Sequence, residues 1–138
     1  MTETIALLPH ALPTCANARL ALFAMRRMGA HGLADARAGH AMFTAFGQGF
    51  RRPLVLMRTL MAELASTAAG TIAIAPCCCA RMTSAESALL ATLARIETAP
   101  DVAQLLMADL LGVRRVESTL MAAAALSAAF ADEGRPFG

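Results

Sequence analysis

The stretch T-I-A-I-A-P-C-C-C-A-R-M-T-S-A-E, Thr71 to Glu86, decides how the chain is read. Its opening places isoleucine at alternate positions, Ile72 and Ile74, between Gly70 and Pro76, the pattern of a short strand. Its close, Thr83-Ser84-Ala85-Glu86, is a capping box. The Thr83 hydroxyl accepts from the Glu86 amide, and the Glu86 carboxylate reaches back to the Thr83 amide. Between them stand Cys77, Cys78 and Cys79, three of the four cysteines. A buried strand needs a partner for its backbone groups. The other extended candidate is Thr4 to Leu8, so the sequence predicts a two-stranded ribbon of residues 4–8 with 71–75. Everything else reads as helix. The expected fold class is therefore all-α, a compact single-domain bundle of about six helices with that ribbon as its minimal sheet.

Working outward, residues 1–13 form an N-terminal arm in which Pro9 and Pro13 discourage helix. A single helical domain over 14–134 and a short tail, 135–138, follow. The first helix is expected from a Thr14 cap to Met28, with Gly29 as its stop. Ala16, Leu20, Phe23, Ala24 and Met28 mark its apolar stripe. Gly32 or Leu33 opens a second helix that turns Ala36, His40 and Phe43 inward and ends at Gly47. Pro53 suits the first turn of a third, running to about Ala69, which is apolar over more than half its circumference. The capping box starts a fourth, to about Thr98. Pro100 and Asp101 open a fifth that ends at Gly112, and a sixth runs from about Arg114 to Asp132.

The chain has 138 residues, 57% of them hydrophobic, with a mean hydropathy of +0.55. It holds nine Met and six Phe but no Trp or Tyr. Its basic side chains are all arginine, which excludes Schiff-base and lysine-nucleophile chemistry. A net charge of +2 is too small to attract nucleic acid or membrane in bulk. The uncharged run from Leu64 to Ala80 is broken by Gly70 and Pro76, so no membrane span is expected. The N-terminus lacks the basic region of a signal peptide. These features place the chain in the cytoplasm, where thiols stay reduced.

Candidate chemistry centres on the cysteines. A loop just before a helix N-terminus favours a thiolate, and Arg81 adds positive charge. Soft thiolates suit zinc or another thiophilic metal, or serve a redox nucleophile. Neither C-x-x-C nor a paired version of it is present. The expected metal set is two or three of Cys77, Cys78 and Cys79 with Cys15 or His10, which the arm would bring toward the loop. Cys15 and His31 flank a straight helix about 24 Å long, so they cannot share a metal. The competing reading treats the four cysteines as small buried hydrophobes. Three further patterns are weaker. The pairs Arg26-Arg27, Arg51-Arg52 and Arg114-Arg115, the last two flanking helix starts, could take an anion or an acidic partner, although arginines at helix ends are commonly just solvated. His31 and His40 form no metal motif, and no Ser/His/Asp arrangement is present, so an enzyme is disfavoured. Residues 103–122, A-Q-L-L-M-A-D-L-L-G-V-R-R-V-E-S-T-L-M-A, resemble the helix-turn-helix of bacterial transcription regulators. The would-be recognition helix continues A-A-A-A-L-S-A-A-F, with almost nothing to read base edges.

The runs R-R-P-L-V-L-M-R-T-L-M-A-E-L and I-A-P-C-C-C-A-R-M-T, with a closing E-G-R-P, resemble a small bacterial family of unknown function. The resemblance spans roughly residues 10–137 and implies only that the P-C-C-C stretch belongs to a recurring module. The leading functional expectation is a non-enzymatic regulatory or accessory protein whose tri-cysteine loop binds a soft metal or senses redox state. The alternative is a helical interaction module, a homo-oligomer or an adaptor for a protein partner, with purely structural cysteines.

Overall fold

The computed structural model describes residues 8–137. Among the described residues, two helix starts carry a side-chain cap and three helix ends stop at a glycine. Helix α1, Ala16–His31, runs through Gly29 and stops at Gly32, whose N–H donates to the Met28 carbonyl. Gly29 is thus an interior residue, and it lets the Ile74 side chain lie close to the helix backbone. Helix α2, Ala36–Phe46, is capped by Asp35, whose carboxylate accepts from the Ala38 amide. A single 3-10 turn, Gly47–Phe50, leads into α3, Arg51–Thr67. Helix α4, Ser84–Arg95, starts with the complete Thr83–Glu86 capping box. Helix α5, Pro100–Leu111, has proline in its first turn and ends at Gly112 in the left-handed region, φ 70°. Helix α6 is Glu117–Asp132.

The bundle of six α-helices among the described residues is as expected, with boundaries shifted by a few residues. Helices α3 and α6 form the most extensive pair, followed by α4 with α5 and α1 with α2. Met25, Met42, Met57, Met107 and Phe130 are fully buried between them. Flexible thioethers fill a core that has few aromatics. Phe130 meets Phe46 edge-on at 4.9 Å and stacks on Phe137 at 4.5 Å. Residues 135–137 belong to this core. Arg135 donates to the Ala45 carbonyl and to Asn17 Oδ1, and Asn17 donates to the Pro136 carbonyl. In α2 the buried stripe is Ala38 and Met42, while His40 and Phe43 face solvent, opposite to the expected inward turn.

A two-stranded antiparallel ribbon is present, but its members differ from those expected. Strand β1, His10–Ala11, pairs with β2, Arg81–Met82, in the register His10 to Met82 and Ala11 to Arg81. Residues 71–75 form no strand, Leu8 lies outside β1, and residues 4–7 of the expected ribbon lie outside the described residues. The physical reason is that side chains take the place of a neighbouring strand along 71–75. The Thr83 hydroxyl donates to the Ala73 carbonyl at 2.7 Å, and Glu86 accepts from the Ala75 amide at 3.2 Å. No helix among the described residues is long and apolar enough to cross a membrane.

Candidate functional site

Glu86 does more than cap a helix. Its carboxylate is fully buried and meets Arg26 of α1, itself 2% exposed, through two bonds of 2.7 and 3.1 Å. A buried charge is costly unless every donor and acceptor finds a partner. Here they do. The Arg26 guanidinium also donates to the Cys79 carbonyl at 2.9 Å and to the Arg81 carbonyl at 2.8 Å. The carboxylate also accepts from the Thr83 amide at 2.9 Å and from Ala75. No buried side-chain nitrogen or oxygen among the described residues lacks a partner.

This network grips the chain on both sides of the cysteines. Ala73 and Ala75 are held upstream, Cys79 and Arg81 downstream. The chain from Pro76 to Cys79 folds into a β-turn, Pro76-Cys77-Cys78-Cys79, closed by the Cys79 amide donating to the Pro76 carbonyl at 3.2 Å. Cys77 and Cys78 occupy its two central positions. Their sulfurs are 3.4 Å apart, with Cys78 exposed and Cys77 half-buried. A groove of about 710 Å³ runs along the upstream arm, lined by Gly29, Met61, Leu64, Ile72, Ile74 and Pro76.

The charges around the turn differ from those the sequence suggested. Arg81 is turned away from the thiols, donating to the carbonyls of Leu8 and Pro9 at 2.8 and 2.7 Å, and so ties down the arm. The N-terminus of α4 is filled by its own Thr83 and Glu86. Positive charge reaches Cys77 from Arg27 and Arg37 instead. Arg27 is oriented by a bidentate pair with Asp35, at 3.0 and 2.9 Å. That contact, with the Ala38 amide, holds the Asp35 carboxyl at about 2, below its ordinary value. The same ion pair raises Arg27. The Cys77 thiol is held below its usual range, first by the hydrogen bond from Cys78 and then by Arg27 and Arg37, against the opposing effect of burial. Cys78 is pushed up by its neighbour, Cys77. The two thiols are therefore shifted in opposite directions, Cys77 toward the thiolate and Cys78 away from it.

The remaining candidates are scattered. His10 sits on exposed β1 opposite Met82. Cys15 is the residue before α1 and packs against the core. It stands twelve residues before Arg27, roughly 18 Å along the helix. The cysteine turn lies at the other end of α1, the end that carries His31. No group of three or more His, Cys, Asp or Glu side chains among the described residues is arranged to hold a metal ion. Arg52 makes a surface pair with Asp132 at 2.6 Å, while Arg51, Arg114 and Arg115 are exposed.

A family model for a family of unknown function, DUF6628, matches residues 2–131. The chain belongs to the DUF6628 family. The match takes in the arm, the clamp and the cysteine turn of this DUF6628 chain. No curated protein and no solved structure matches it. Sequence reasoning found the cysteines of this family member and the Arg26-Arg27 pair, but not that Arg26 binds Glu86 and Arg27 binds Asp35 beside the thiols. Asp35 alone left a local signal, as an N-cap residue just ahead of a helical run.

Proposed function

We propose that this protein is a small, non-enzymatic regulatory or accessory protein that senses redox state through Cys77 and Cys78. One observation carries the reading: two thiols at the outer corner of a clamped turn, with sulfurs 3.4 Å apart. Cysteines kept only for packing would sit inside the core. With a peroxide as oxidant, the Cys77 thiolate attacks one peroxide oxygen. An S–O bond forms, the O–O bond breaks, and the departing oxygen leaves as water after taking a proton. The Cys78 thiol then attacks the Cys77 sulfur. An S–S bond forms, the S–O bond breaks, and a second water leaves with the Cys78 proton. Two electrons pass from the thiols to the peroxide. Adjacent Cα atoms are about 3.8 Å apart, closer than an ordinary disulfide prefers. The product is strained and readily reduced, which suits a reversible signal in the cytoplasm, where we place the protein.

The alternative, an interaction module using α3 and α6, would have to dock through the exposed Val55 and Met121, because those two helices pack chiefly on each other. The test is a triple substitution, Cys77→Ser, Cys78→Ser and Cys79→Ser. The wild type is expected to lose the mass of two hydrogens under peroxide and regain it with a thiol reductant. The variant keeps its helical circular dichroism and shows no such cycle. A folded wild type whose thiols form no disulfide under peroxide rejects the reading.

A further inference from the structure

The same two sulfurs have a second chemistry that needs no oxidant. We propose that Cys77 and Cys78 form a chelating site for a trivalent, pyramidal thiophilic centre, an As(III) species being the fitting class. The inference rests on the reading above only in requiring that both thiols be accessible.

The sulfur spacing fits one ion geometry best. With sulfur–metal bonds of about 2.3 Å, two sulfurs 3.4 Å apart subtend about 95° at the ion. A tetrahedral ion such as zinc would hold them about 3.8 Å apart, and a linear two-coordinate ion about 4.6 Å apart. An angle near 95° belongs to a pyramidal centre with a lone pair. Ligand number points the same way. Zinc wants four protein donors, and no third His, Cys, Asp or Glu side chain joins this pair among the described residues. A trivalent arsenical needs only two thiolates and carries its third ligand with it.

The turn is also preorganised. Its flanks are fixed by Arg26, Thr83 and Glu86, so little freedom is lost when both sulfurs engage one atom. The exchange balances without electron transfer. Arsenous acid and two thiols form two As–S bonds, break two As–OH bonds and release two waters, leaving one hydroxyl on arsenic.

The test uses the reduced full-length chain, kept anaerobic, and phenylarsine oxide as the probe. Intact native mass is expected to show one phenylarsenic per chain, with two As–S bonds formed and one water lost. Cys77→Ser and Cys78→Ser should each weaken binding by about a hundredfold or more, because two-point attachment is lost. Cys15→Ser and Cys79→Ser should bind as the wild type does. A folded wild type that takes no arsenical overturns the proposal. So does a Cys77→Ser chain that binds equally well, a Cys79→Ser chain that does not bind, or zinc alone bound as tightly as the arsenical. Peroxide is absent from this experiment. A chain that binds the arsenical but forms no disulfide therefore sinks the redox reading alone, and one that forms the disulfide but takes no arsenical sinks the chelate alone.

Discussion

At the scale of single residues, the molecule turns on two arginines that are neighbours in sequence and do different work. Arg26 points inward and completes a buried ion pair; Arg27 points outward and serves a surface thiol. Glu86→Gln leaves Arg26 as a buried charge without its counter-ion, a change of about 3–5 kcal/mol. Chemical denaturation should show a loss of that size, with Cys77 and Cys78 more exposed to alkylation as the turn loosens. Around Cys77 the order of causes is itself testable. The Cys78 hydrogen bond depresses its titration most, with Arg27 next. Site-resolved iodoacetamide labelling against pH should give Cys77 a lower midpoint than Cys78. Cys78→Ala should move the Cys77 midpoint up further than Arg27→Gln does. Asp35 supplies an acid signature. Its carboxyl is lowered to about 2, so its contribution is whole above the ordinary carboxylate range and is lost as pH falls toward 2. Asp35→Asn should flatten that part of the stability profile below pH 4.

At the scale of elements, one helix interior holds a glycine that the fold does not require. Gly39 lies inside α2, and an added methyl would rest at 3.7 Å from Leu54, an ordinary contact. Gly39→Ala should therefore stabilise the protein by about 0.5–1 kcal/mol, read as a higher denaturation midpoint with unchanged slope. Local signals of this kind are what made the elements legible. Thr83 with Glu86, Pro53, Pro100 and Gly112 each act within one helical turn, so six helices could be read from sequence. The ribbon was half-legible. That the arm meets the cysteine region followed from there being few extended segments. Its register did not follow, because Thr83 and Glu86 bond the backbone of 71–75, and no strand pattern shows that. The clamp was invisible for a similar reason: Arg26 and Glu86 are sixty positions apart. Nothing local distinguishes a buried Arg–Arg step from a solvated one, and Arg81, nearest to the thiols in sequence, is spent on Leu8 and Pro9.

At the scale of the whole molecule, the bundle decides which of its helices can face a partner. The helix-turn-helix resemblance of residues 103–122 needs α6 to lie open on the surface, with side chains free to enter a groove. Instead α6 packs on α3 and buries Thr119, Ala122, Ala123, Leu126, Ser127, Ala129 and Phe130. Its exposed residues are Glu117, Ser118, Met121, Ala131 and Asp132, so it offers carboxylates where a DNA reader offers donors to phosphate. The five residues between α5 and α6 also exceed the usual turn of about three or four. Arg114 and Arg115 are exposed there, yet two arginines make too few phosphate contacts to hold DNA against salt. Titrating mixed-sequence duplex at low ionic strength should give no saturable binding, and Arg114→Ala with Arg115→Ala should leave the result unchanged. Salt-dependent binding that those substitutions abolish would restore the α5–α6 hairpin as a nucleic-acid surface.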